Sequence, residues 1–148
     1  MYTDKLGDST VNKQNVLEDT LLIEWYEVNK TLFNRKTVGG TPVTVRRDVG
    51  QSIKNEELIS TVDGMVVRIR IKPCTCMILT TENMATLGSF CFDVGNRHLP
   101  VFLIGKSVAV AYDARLYQAL KGKYGEEVSL CLETLDPVFV LKAFGNFL

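Results

Sequence analysis

The sequence predicts an α+β protein of two small domains: an all-β unit over residues 1–73, then a ferredoxin-like (βαββαβ) unit over 74–148. Three observations carry this reading. Up to Ile71, apolar and polar residues alternate in short runs separated by glycine-bearing turns, the signature of half-buried strands. Pro73 punctuates the chain directly after the last of these runs. Beyond it the apolar spacing lengthens twice to the helical period, and strand-like runs fall before, between and after. Strand, helix, strand, strand, helix, strand is the split βαβ pattern.

Residues 1–19 are polar without a sustained period and read as a flexible or loosely docked arm. Leu21, Ile23 and Trp25 then alternate with Leu22, Glu24 and Tyr26, which suits a strand with one face in a core. Strands at 32–36 and 43–47 flank Gly39-Gly40, a pair that accepts the positive φ of a tight hairpin. After a polar stretch with Gly50 as a turn, strands at 58–61 and 65–71 flank Asp63-Gly64, a strong hairpin signal.

In the second half, 76–80 reads as a strand, and Thr81-Glu82-Asn83 offers capping oxygens for a helix start. Met84, Leu87, Cys91 and Val94 follow at helical spacing, and four residues beyond Val94 lies His98. Gly88 and Gly95 fall on roughly one face, where another backbone is expected to approach. Asn96 and Arg97 are expected to end the helix, with Asn taking the left-handed conformation that such ends require. Strands at 99–104 and 107–111 form a hairpin across Gly105-Lys106. Asp113 caps a second helix carrying Leu116, Leu120 and Tyr124 and stopped by Gly125. Residues 128–132 close the sheet. The tail from 135 to 148 carries Val138, Phe139, Val140, Leu141, Phe144 and Phe147, an apolar density expected to dock on its own chain or on a partner.

Composition excludes several functions. Seventeen basic side chains balance seventeen acidic ones, against a nucleic-acid or membrane-surface binder. No apolar run approaches the roughly 20 residues of a transmembrane helix, and the N-terminus is too polar for a signal peptide. The expected location is the cytoplasm. There the cysteines, Cys74, Cys76, Cys91 and Cys131, are expected as reduced thiols. Cys74 and Cys76 share a strand face, and the spacing completes no zinc signature. Small buried apolar residues are the ordinary reading of such thiols, accessory metal ligation the alternative.

His98 is the sole histidine among 148 residues, so imidazole chemistry has one place to occur. The run Gly95-Asn96-Arg97-His98, after a helix opening the second of two small domains, resembles the GNRH signature of the urease accessory protein UreE family. Ile23-Glu24-Trp25-Tyr26-Glu27, Asp63-Gly64 and Pro73 are similar in placement to that family's first strand, β-domain turn and domain junction. The resemblance implies a nickel metallochaperone, homodimeric, with Zn2+ as a competing ion. The implied partners are apo-urease and its GTPase-containing accessory complex. It also implies His98 as the metal ligand, meeting its symmetry mate at the dimer interface. The chain departs from the family at Asp93 and Ala114, where many members carry histidine or an Asp-His pair, and in its tail, which lacks histidine.

Physical chemistry supports a site of that kind. One imidazole per chain is too few, but a residue near a two-fold axis meets its copy and supplies two nitrogens. Imidazole suits Ni2+. Binding needs the neutral ring, so affinity falls as pH drops through the ordinary imidazole range near about 6.5. The competing expectation is a metal-independent assembly adaptor that binds partners through the β domain and the apolar tail. Catalysis is not expected. Cys91 and His98 lie seven apart, about 10 Å along a helix, and no triad, phosphate-cradling loop or carboxylate pair appears.

Overall fold

The computed structural model describes residues 3–5, 17–61 and 63–142. The chain is mixed α+β, mostly strands with two helices, and divides into two compact units, Met1–Lys72 and Pro73–Leu148.

In the first unit, β1 (Thr3–Lys5), β2 (Glu18–Ile23), β5 (Glu57–Thr61) and β6 (Val66–Ile71) form a sheet in the order β1-β5-β6-β2. The strands β3 (Leu32–Lys36) and β4 (Pro42–Arg46) form a separate antiparallel ribbon. Period-two patterning decides which side chains go inside. Leu21 and Ile23 of β2, Val43 and Val45 of β4, and Val67, Ile69 and Ile71 of β6 are all buried in one apolar cluster with Ile53 and Ile59. The turns follow the expected chemistry. Gly40 sits at φ +89° and Gly64 at φ +82°, a region that side-chain-bearing residues enter only at a cost. β5 and β6 pair antiparallel across Asp63-Gly64, whereas β2 pairs parallel to β6, from Glu18 opposite Val66 to Ile23 opposite Ile71.

Where residues 1–19 are described, Thr3–Lys5 pairs with β5, and Glu18 and Asp19 already belong to β2. One expectation fails here. The first core strand stops at Ile23, because Trp25–Glu27 is a 3-10 turn. Glu27 causes the change. Its side chain turns inward, where Oε1 accepts the Glu24 N–H at 2.9 Å and both carboxylate oxygens accept from Arg35 at 2.6 Å.

The second unit runs β7 (Cys74–Leu79), α1 (Met84–Gly95), β8 (Phe102–Ile104), β9 (Ser107–Ala111), α2 (Ala114–Tyr124) and β10 (Val128–Glu133). The sheet order is β10-β7-β9-β8, every neighbouring pair antiparallel. Asn83 caps α1 by accepting the Thr86 N–H at 3.0 Å, and Asp113 caps α2 by accepting the Leu116 N–H at 2.8 Å. Phe90 and Val94 of α1 and Leu116 and Leu120 of α2 pack with Met77, Leu79, Val108 and Val110 of the sheet.

The α1 stripe is rotated from its expected position. Met84 is 85% exposed, and Phe90 takes the buried place. Beyond α1's own backbone, a Cβ added at Gly88 or Gly95 would meet nothing within 4 Å, so the expected neighbouring backbone is not supplied by the described residues. The tail docks in part. Leu135 is fully buried, Val140 bridges to Phe102, and the Leu141 N–H reaches the Val101 carbonyl at 2.8 Å. Val138, Phe139 and Leu141 nevertheless stay exposed, and Phe144 and Phe147 lie outside the described residues.

Candidate metal centre

The site is built by the way α1 ends. Gly95 is the last helical residue, and the chain then tightens: the Arg97 N–H donates to the Val94 carbonyl at 3.1 Å and the His98 N–H to the Gly95 carbonyl at 2.9 Å. Asn96 keeps right-handed angles, with φ −62°. The left-handed residue is His98, at φ +58°, so the sequence expectation for Asn96 is corrected by two positions. A positive φ is uncommon outside glycine, though histidine enters it more readily than most. The side chain of His98 is exposed, and no described residue hydrogen-bonds its ring. Both ring nitrogens are therefore open to an incoming ligand.

The other candidates are not assembled around it. Asp93 is engaged with α2. Its Oδ2 accepts from Lys123 Nζ at 2.7 Å and from the Tyr124 hydroxyl at 2.6 Å. The Lys123 ammonium, and then Tyr124, hold its carboxyl below the usual carboxylate range. Ala114, the first residue of α2, carries no ligating atom.

Cys91 is half-buried, and burial pushes its thiol up. Cys74 and Cys76 share a face as expected, their sulfurs 3.7 Å apart. Cys76 is fully buried, and desolvation first, then the neighbouring Cys74, raises its thiol to about 12. Cys131 is exposed and stands opposite Cys76 across the β10–β7 pairing. Among the described residues, no three histidine, cysteine or acidic side chains form a group able to hold a metal. One chain thus offers a single exposed imidazole.

Sequence reasoning missed the polar cluster beneath this site. The Tyr124 hydroxyl lies 3.0 Å from Ser89 Oγ, and its ring meets Phe90 edge-on at 5.5 Å between centroids. Ser89 and Asp93 are four apart, so the helical period alone could have placed them on one face. It missed also that Met84 and Phe92, 85% and 70% exposed, are four residues either side of Gly88.

Comparison with known proteins follows the geometry. No family model matches the chain. The urease accessory protein UreE of Acetivibrio thermocellus is 35% identical over 102 residues, covering 69% of this chain and 67% of that protein. The chain belongs to the UreE family. The UreE proteins of Flavobacterium johnsoniae, 28% identical over 77% of this chain and 71% of their own, and of Lysinibacillus sphaericus, 25% identical over 79% and 76%, agree. As a UreE protein the chain is an accessory protein and not an enzyme. Within it, His98 is the one place where imidazole ligation can occur.

Proposed function

We propose that this UreE chain is a nickel metallochaperone of urease maturation. It acts as a cytoplasmic homodimer holding one Ni2+ between two copies of His98 and passing it to apo-urease. The GTPase-containing accessory complex is the further partner and Zn2+ the competing ion. The observation that carries this reading is the sole imidazole, exposed at a helix end with no described partner of its own.

Chemistry supports it. Two symmetry-related imidazoles supply two nitrogen donors, and Ni2+ outranks Mn2+, Fe2+ and Co2+ for such ligands. Two donors leave the coordination sphere open to water or to carboxylates of an acceptor. An open sphere suits a carrier, whereas structural sites close theirs. The exposed side of α1 supports the dimer. Met84, Gly88, Phe92 and Gly95 share a stripe apart from the buried one, with exposed apolar side chains at two positions and open space over the two glycines. The βαββαβ order and the β10-β7-β9-β8 sheet support the ferredoxin-like reading of this unit. None of the described helices is long and apolar enough to cross a membrane.

Calorimetric titration with Ni2+ tests the proposal. The wild type is expected to bind one ion per dimer and His98→Ala to lose that binding. Unchanged stoichiometry and affinity in the variant would end the reading. The metal-independent adaptor draws support from the exposed Val138, Phe139 and Leu141 beside a half-docked tail. Full urease activation by His98→Ala at limiting nickel would favour it.

A further inference from the structure

The ring of His98 has no described hydrogen-bond partner, so the last turn of α1 fixes the point and direction from which the side chain leaves the backbone. Two glycines weaken α1, Gly95 at its last position and Gly88 two turns earlier. No basic residue stands in the last turn, so its carbonyls are met by the N–H groups of Asn96, Arg97 and His98 alone. Nor do α1 and α2 close together there. A notch of about 360 Å3 lies between them, lined by Asp93, Asn96 and Arg97 on one side and Leu116, Leu120 and Lys123 on the other. Beside it, polar contacts add to the packing that joins the two helices. Lys123 Nζ and the Tyr124 hydroxyl converge on Asp93 Oδ2 at 2.7 and 2.6 Å, and the same hydroxyl lies 3.0 Å from Ser89 Oγ one turn earlier. The ring of Tyr124, seated edge-on against Phe90, fixes where that hydroxyl can be.

We propose that Asp93, tied to α2 through Lys123 and Tyr124, is the positioning residue that aims the His98 imidazole at its copy across the dimer. This rests on the nickel reading above. Asp93 does not ligate in this role; it acts through five residues of helix end. An ion shared by two chains needs both rings directed at one point, and any freedom in the helix end is doubled by symmetry. The Lys123 contact is screened by solvent, so the Tyr124 hydroxyl, held by its ring against Phe90, is the more directional tie to Asp93. Outer partners bonded directly to a ligand contribute about 10- to 100-fold in metal affinity; Asp93 acts through the backbone instead, so its effect belongs at or below the lower end of that range.

The test uses the full chain and Ni2+ alone, with calorimetry, light scattering and proton NMR of the imidazole. The single histidine gives one set of ring signals, read without assignment ambiguity. Asp93→Asn is expected to weaken nickel binding by up to about 10-fold, the lower end for partners that orient a ligand. It should keep one ion per dimer and the same dimer mass, and should broaden or shift the metal-free ring signals. Tyr124→Phe, which keeps the ring against Phe90, is expected to act in the same direction with a smaller loss, and decides the matter if Asp93→Asn fails to fold. Unchanged affinity in both variants would overturn the proposal, as would a loss fully matched by dissociation to monomers. Nickel binding retained in His98→Ala would instead remove the nickel reading beneath it, whatever the Asp93 variants do.

Discussion

At residue 98 two demands compete. The helix stop needs left-handed backbone, which glycine supplies at no steric cost and other residues at about 1–2 kcal/mol. The chain has histidine there, at φ +58°. A side chain kept where none is conformationally favoured is consistent with a ligand held for function at the expense of stability. Metal-free His98→Gly is therefore expected to be more stable than metal-free His98→Ala by about 1 kcal/mol, while both lose nickel. Urea denaturation of the two variants checks this, and equal midpoints would show that the backbone at 98 is not under strain. The residue was legible in the sequence because it occurs once. Its backbone was not, because the preference of asparagine for left-handed caps pointed to Asn96, and the extra turn of chain after Gly95 is set by carbonyl geometry that no residue type announces.

At the scale of elements, the buried acid of the 3-10 turn contributes to the acid sensitivity of the first unit. Glu27 is 2% exposed, and the Arg35 fork, against the opposing pull of burial, holds its carboxyl down at about 2 from 4.5. A carboxyl depressed in the fold stabilises fully above the ordinary range and ceases to do so as pH falls through 4.5 toward 2. The difference corresponds to on the order of 3 kcal/mol. Glu27→Gln is expected to be less stable than wild type at pH 7 and to lose less on acidification, as read by denaturant midpoints at pH 7 and pH 3. Parallel slopes with pH would refute the assignment. The strands themselves were readable from alternation. What alternation could not show was where β2 yields to a turn, because Trp25 continues the apolar rhythm and only the distant Arg35 rewards turning Glu27 inward. The Met84 error has a similar cause. A stripe through Met84 and one through Phe90 both satisfy the helical period, and only the sheet beneath α1 chooses between them.

At the scale of the whole molecule, the function proposed above depends on two chains meeting. The balance of seventeen basic and seventeen acidic side chains leaves little net repulsion between copies. If the Met84–Phe92 side of α1 is the meeting face, Phe92→Glu sets like charges opposite one another across the two-fold axis. Light scattering is expected to show monomers, and nickel affinity to collapse although His98 is untouched. A dimer that survives this change would move the interface elsewhere. The order of elements in the second unit could be read from the chain. The parallel placement of β2 against β6 could not, since nothing in either strand marks the direction of a partner more than forty positions away.

That placement governs how the protein is made. β6 lies in the interior of its sheet, between β5 and β2, and is the last of the four to be synthesised. A nascent chain halted at residue 61 would hold three of the sheet's strands with no neighbour to join β2 to the others. Until Ile71 clears the ribosome, the first unit has no sheet to close and its apolar strands stay open to chaperones and to one another.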